Sequence, residues 1–422
     1  MATAAPRPPL KSLDAALAEL LVFARVLPEV ERVSTFDADS RILAQDVVSP
    51  LQVPPHDNSA MDGYALRYGD IARAGVVLPV SQRIAAGSVG SALQPGTAAR
   101  IFTGAPIPSG ADAVVMQEDC DALAEGIASG DAPSQGPAVR FNTVPKSGQN
   151  IRRAGEDVTL DSVVLRQGTR LTPAALGLAA SVGQAELGVV RRPRVALFST
   201  GDELVMPGDV APQDMKPGAI FNSNRFFQRA LLVRLGCTVT DMGIVPDRLD
   251  ATIAMLRKAS LAHDVVLTCG GVSGGEEDHV RPAVLALGEL DMWQLAIKPG
   301  KPFAYGRVGA AHFMGLPGNP VSSLVTFMLL VRPFLLRLQG QRDVAPRAVM
   351  LRADFAWLRP DRRREFLRVQ HNALGGLDLF ANQSSGVLTS AVWGDGLVDT
   401  APGVAIAPGD MVRFLSFADL MV

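Results

Sequence analysis

The sequence predicts a multidomain α/β protein in which a doubly wound parallel sheet carries the chemistry and β-rich segments lie on either side of it. Three observations lead there. From residue 194 onward, continuous apolar runs alternate with amphipathic stretches in the order strand, helix, strand. Residues 53–192 have another texture, brief Val/Ile/Leu runs punctuated by Gly and Pro turns. Beyond residue 347 the chain returns to short strands and turns.

Ser12 is placed to cap a helix that carries Leu13, Leu17, Leu20, Leu21 and Ala24 on one face. Turn pairs such as Ala86-Gly87, Pro95-Gly96 and Ser147-Gly148 divide the β-rich part, and the polar stretch 118–138 reads as a loop or a long hairpin tip. The run RVALFS (194–199) is a buried strand, 224–235 a helix, 238–244 a strand, 251–260 a helix, DVVLT (264–268) a strand and 280–287 a helix. The longest apolar run, 324–331, stops at Arg332-Pro333 and is too short to cross a bilayer. Residues 339–347 read as a linker.

Composition narrows the function. Apolar residues make up 48% of the 422 positions against 19% charged, which excludes a disordered chain. Lys plus Arg is 40 and Asp plus Glu 42, a balance that argues against nucleic acid as a partner. Cys120, Cys237 and Cys269 are odd in number and far apart, as expected of a reducing cytoplasm and not of a disulfide framework. The N-terminus lacks the pattern of an export signal, and no membrane partner is expected.

Open parallel sheets bind ligands beyond the carboxyl ends of their strands. RVALFS is followed by Thr200-Gly201-Asp202-Glu203, and DVVLT by the glycine-rich CGGVSGGEED (269–278). Such a loop lets backbone N–H groups approach an anion, and its acids can hold a divalent cation; taken alone it is equally a tight turn into a helix. Only six lysines stand against 34 arginines, and two of the six lie together in Ile297-Lys298-Pro299-Gly300-Lys301-Pro302. That placement suggests compact point charges for an oxyanion, where a solvated Pro-rich turn is the plainer reading. In GLPGNPVSS (315–323), Pro320 opens a helix whose free N–H groups, with the Ser322 hydroxyl, form an anion site. Residues 332–368 hold ten arginines against four acids, a binding rim or a solvated face. HExxH, GxSxG and Walker loops are absent, against a zincin, a serine hydrolase and a P-loop NTPase.

DNSAMDGYA (57–65), TGAP (103–106), SGQNIRRAGED (147–157), STGDEL (199–204), CGGVSGGEEDHV, IKPGKPFAYG and GLPGNPVSS occur in this order. In that order they resemble the MoeA-type molybdopterin molybdenumtransferases, relatives of the gephyrin and plant Cnx1 E domains. The resemblance implies insertion of molybdenum from molybdate into adenylylated molybdopterin with release of AMP, assisted by Mg²⁺. It implies a cytoplasmic, elongated homodimer with MogA-type adenylyltransferases and molybdoenzymes or their chaperones as transient partners. The implied domains are a disordered 1–10, linking domain I (11–52 and 153–190), β-rich inserted domain II (53–152), MogA-like domain III (191–338) and a C-terminal β-barrel domain IV (346–422). The cleft would lie between domain III of one subunit and domain II of the other.

Carried over by motif, Asp62, Thr103 and Asp157 belong to the domain II side and Glu203, Asp247 and Asp278 to domain III. Asp62, Glu203, Asp247 and Asp278 are the implied metal ligands. Gly270, Gly271 and Ser273 resemble the pterin-phosphate cradle, flanked by Pro317 and Pro320. Lys298, Lys301, Ser322, Arg368 and Ser385 resemble the molybdate pocket, with Ser384 an alternative to Ser385. His56 and Gly274 depart from the usual pattern. Two other readings use parts of the same chain. A gephyrin-like scaffold would call for further N-terminal modules, and a MogA-type adenylyltransferase would leave the DNSAMDGYA half unexplained.

Overall fold

The computed structural model describes residues 10–123, 136–272 and 279–421. Its central sheet has six strands in the order Thr238–Val245, Arg194–Thr200, Val265–Cys269, Ala311–Leu316, Pro302–Val308, Gly288–Gln294. The first four are parallel. The last two are antiparallel to their neighbours, so the sheet is mixed where the sequence predicts a parallel one. Only Gly309 and Ala310 separate Val308 from Ala311, and a connection that short can close only an antiparallel pair.

Alternation along each buried strand divides two cores. Val195 and Leu197 face a layer made by helices Leu13–Phe23, Ser223–Arg234 and the apolar helix after Pro320. Ala196 and Phe198 face helices Leu249–Ser260 and Val280–Leu287 on the other side. Ser12 caps the first helix, its Oγ accepting from the Ala15 N–H.

The apolar helix does not stop at Arg332-Pro333. It runs Pro320–Leu338, and 94% of its most apolar window is buried inside the protein, so this span is a core helix. A π-helical stretch, Phe327–Val331, shifts the ladder, and Pro333, which has no N–H to give, falls in the first turn of the next α segment.

A six-stranded sheet built from residues between Gly63 and Phe141 wraps two small cores, one around Tyr64, Leu66 and Phe141 and one around Ala65, Ile84 and Ile101. Within the predicted hairpin tip, Cys120–Leu123 pairs with Ala138–Phe141; the middle of that stretch and the predicted disordered 1–9 lie outside the described residues. Strand Val30–Ser34 pairs with Glu186–Val190, and helix Pro173–Ser181, which the sequence reading passes over, packs beneath them. Its Ala-rich PAALGLAAS has little amphipathic contrast to reveal it.

The C-terminal strands Ala348–Arg352, Arg364–His371, Gly396–Thr400 and Met411–Ser416 form a curled sheet around Phe355, Val369 and Phe414. Ile297–Lys298 leaves the α/β unit and joins this sheet, parallel to Arg364 and Glu365.

Asp264 ties the start of the α/β unit to the linking region. Burial pushes its carboxyl up, but two Arg191 bonds of 2.6 and 2.8 Å and the Arg194 N–H at 2.7 Å outweigh that and bring it down to about 2. A lowered carboxyl stabilises the fold above its unfolded pKa and loses that contribution as pH falls through the folded value. Asp264→Asn is expected to cost about 2 kcal/mol in chemical denaturation at pH 7. The gap from the parent protein should close between pH 4 and 2; a gap independent of pH would refute the assignment.

Candidate functional site

A cavity of about 730 Å³ opens at the carboxyl ends of three parallel strands. Ser199, Thr200 and Glu203 come from the first, Cys269, Gly270 and Gly271 from the second, and Pro317, Asn319, Pro320 and Ser322 from the third. The segment Lys298–Pro302 and, from the C-terminal domain, Arg363, Gln383, Ser384 and Ser385 complete the lining.

Backbone geometry explains the glycine pair. Gly270 and Gly271 have φ of +95° and +65°; a Cβ on Gly270 would stand 2.9 Å from the Thr200 carbonyl oxygen, and one on Gly271 2.4 Å from a Val280 methyl. Only glycine allows this tight turn. Ser273 and Asp278 of the same loop lie outside the described residues.

Electrostatically the cavity is cationic. Lys298, Lys301 and Arg363 line it against a single described carboxylate, Glu203. Lys298 Nζ is 3.1 Å from Glu365 Oε1 and 3.6 Å from Asp361 Oδ2. Glu365 is 1% exposed, and its second oxygen accepts from Trp357 Nε1 and the Asp361 N–H. Arg363 pairs with Asp361 through two bonds of 2.9 Å, which hold that carboxyl far below the usual range. No carboxylate among the described residues pairs with Lys301. On the floor, Ser199 Oγ, Asn222 Nδ2 and Asn224 Oδ1 are buried with no described partner. Buried polar atoms are rarely left so; these three belong to lining residues but are themselves sealed from the open space.

The end of the core helix is partly satisfied already. Val321 N–H donates to the Ser385 carbonyl at 2.9 Å, so what the structure leaves facing the cavity is the hydroxyl of Ser322 and the side chains of Ser384 and Ser385.

Arg368 does not line the cavity. It is 1% exposed, and its guanidinium bonds to Ser390 Oγ, the Phe366 carbonyl and the Ser384 carbonyl; burial lowers its pKa to about 10. It lies on an inward-facing position of Arg364–His371 and braces the wall from behind, whereas Arg363, at the turn before that strand, reaches the cavity. Arg363 was visible in sequence only as one of the run Arg362-Arg363-Arg364. Asn222 and Asn224 carried no signal beyond a helix cap.

No described residue of 53–152 lines the cavity. Asp62 accepts the Thr103 N–H at 2.8 Å and the Thr103 hydroxyl at 2.7 Å, and both lower its pKa. Asp157 is exposed, in a turn whose N–H donates to the Val53 carbonyl. Asp247 follows strand Thr238–Val245, with its N–H on Asp202, and it too is outside the lining. Within one chain, then, the structure brings together Glu203, Gly270, Gly271, Lys298, Lys301, Pro317, Pro320, Ser322 and Ser385, and leaves Asp62, Thr103, Asp157 and Asp247 apart. Among the described residues no three His, Cys, Asp or Glu side chains gather as a metal cage.

Family models match along the chain: the MoeA N-terminal region (domain I and II) over residues 11–183, the probable molybdopterin binding domain over 196–337 and the MoeA C-terminal region (domain IV) over 351–417. The molybdopterin molybdenumtransferase of Haemophilus influenzae is 42% identical over 333 residues, 79% of this chain and 78% of that one. That of Bacillus subtilis is 37% identical over 313 residues, 73% and 70% of the two chains. A crystal structure of the molybdopterin biosynthesis moeA protein of Pyrococcus horikoshii superposes with a TM-score of 0.82 at 27% identity, covering 97% of this chain and 100% of that one. From its three matched regions, its relatives and its architecture, the chain belongs to the MoeA family of molybdopterin molybdenumtransferases.

Proposed function

We propose that the cationic cavity is where this molybdopterin molybdenumtransferase takes adenylylated molybdopterin and molybdate, inserts molybdenum and releases AMP. One observation carries the assignment to this cavity: cations from two domains and the Gly270-Gly271 turn converge at the strand ends of the segment that matches the molybdopterin binding domain. Both substrates are anions. Gly270 and Gly271 bring backbone close to the phosphate end. Lys301, Ser322 and Ser384 or Ser385 offer the charge and hydroxyl donors that a tetrahedral dianion needs. Lys298 joins them if an anion draws it from Glu365, and Arg368 acts as a positioning residue by holding the Ser384 carbonyl.

Mg²⁺ belongs to this reading. An ion of that kind is commonly held by one or two carboxylates together with substrate phosphates and water, and Glu203 at the cavity rim fits that donor set better than it fits an all-protein cage. Asp278, outside the described residues, is the second candidate. Bound there, the ion would neutralise charge developing on the phosphates as AMP leaves.

Asp62 and Thr103 are proposed to serve the same cavity from a second copy of the chain, which makes the active form a homodimer. Thr103 fixes the Asp62 carboxylate in its ionised form and in one orientation. A MogA-type adenylyltransferase is the proposed source of the substrate, and molybdoenzymes or their chaperones the proposed recipients.

Purified protein given adenylylated molybdopterin, Mg²⁺ and molybdate should release AMP and reconstitute a molybdenum-free apoenzyme. Pyrophosphate and adenylylated molybdopterin formed from ATP and free molybdopterin would indicate an adenylyltransferase instead. Lys301→Ala should raise the molybdate concentration for half-maximal insertion by about tenfold, the worth of one charge-assisted contact, while AMP release persists; unchanged molybdate dependence removes Lys301 from the pocket. At molybdate well below the parent's half-saturation, Asp62→Ala and Lys301→Ala proteins should each be defective in insertion when assayed separately. After unfolding and refolding together at equal amounts they should recover about a quarter of parental activity, since half of the dimers then hold one intact site. Full activity in a strictly monomeric fraction would overturn the shared cleft.

A further inference from the structure

A second large cavity, about 710 Å³, lies at the opposite end of the core helix from the first. Ser322 of the helix lines the first and Arg332 the second, ten residues or about 15 Å along its axis. Arg166 and Arg170 approach from the linking region, Arg332 from the helix, and Arg342 and Arg347 from the connection to the C-terminal domain. Asp343 and Asp419 are the only carboxylates in its described lining.

None of these five arginines is in an ion pair among the described residues. The well-buried guanidiniums of Arg41, Arg191 and Arg364, by contrast, each meet a carboxylate: Glu31, Asp264 and Asp399. Arg332 is 8% exposed; one Nη donates to the Val344 carbonyl at 3.3 Å, and its Nε is buried with no partner. Burial, first, and the charge of Arg170 work against its protonated form, and the carboxylate of Asp419 offsets part of this. Nor are these side chains needed to finish the helix. The carbonyls of Leu335, Leu336 and Arg337 already accept from the amides of Gln339, Gln341 and Gly340. A guanidinium left unpaired inside a cationic hollow is costly unless an anion is bound there.

We propose that this cavity is an anion site separate from the first, taking a polyvalent phosphate. Guanidinium forks match phosphate oxygens in pairs, the charge balance of five against two leaves room for a multiply charged group, and the volume admits a molecule up to the size of a nucleotide. Arg332 and Arg170 form the floor and grip the anion; Arg166, Arg342 and Arg347 form an exposed rim that draws it in.

Titration calorimetry with sodium pyrophosphate, and separately with ADP, at constant ionic strength tests this on the intact protein. The exposed rim variant Arg342→Ala/Arg347→Ala, checked for an unchanged thermal midpoint, avoids disturbing the buried Arg332. The parent should bind pyrophosphate, Lys301→Ala should keep that event, and the rim variant should weaken it by at least about tenfold. ADP binding tighter than pyrophosphate would assign the site to nucleotides, and equal or weaker binding to free phosphates. No pyrophosphate binding at millimolar concentration, an isotherm unaffected by the rim variant, or one lost in Lys301→Ala would overturn the proposal.

Discussion

The site depends on how the C-terminal domain is held against the strand ends of the α/β unit. Two residues, Ile297 and Lys298, leave one sheet and become an edge of the other, parallel to Arg364 and Glu365. The Arg364 N–H on the Ala296 carbonyl at 2.9 Å and the Val321 N–H on the Ser385 carbonyl at 2.9 Å complete the junction. Glu365 sits at its centre, buried, with one oxygen on Lys298 and the other on Trp357 and the Asp361 backbone. A buried carboxylate so fully hydrogen-bonded fixes the relative position of the elements that contact it. Without that junction Arg363 and the serine-bearing turn would be lost from the lining, and the strand-end loops would form a more open groove.

Charge at the cavity follows from the same arrangement. Acids of the C-terminal domain are committed to Lys298 and Arg363 at the edge, while Lys301 keeps its charge for whatever enters. The cavity therefore offers an anion one lysine with no described carboxylate partner, Lys301, beside two cations already held by the C-terminal acids. Arg368 contributes without touching that space: its guanidinium is tied to the Ser384 carbonyl and the Ser390 hydroxyl, which stiffens the serine-bearing turn.

Much of this was legible in the sequence, for identifiable reasons. The runs at 194–200 and 265–269 are buried on both faces, so they read as unbroken apolar strands. The glycine-rich turn and the lysine pair stood out because few other residues suit those tasks. What failed to show depends on long-range pairing. The antiparallel hairpin closing at Gly309-Ala310 carries no Asn-Gly or Asp-Gly turn. The core helix continues through Pro333 because a π-helical stretch absorbs it, and local rules end a helix there. Arg363 reaches the cavity from the turn before strand Arg364–His371 and Arg368 is buried within it, a difference invisible until the strand's start is known. The separation of Asp62 from the cavity within one chain is a matter of tertiary arrangement that no local pattern encodes.

The most direct measurement is molybdenum-edge anomalous diffraction from crystals soaked in molybdate. A peak within hydrogen-bonding distance of Lys301 Nζ and Ser322 Oγ is the expected result. A peak elsewhere, with the strand-end cavity empty at saturating molybdate, would contradict the assignment of that cavity to the insertion chemistry.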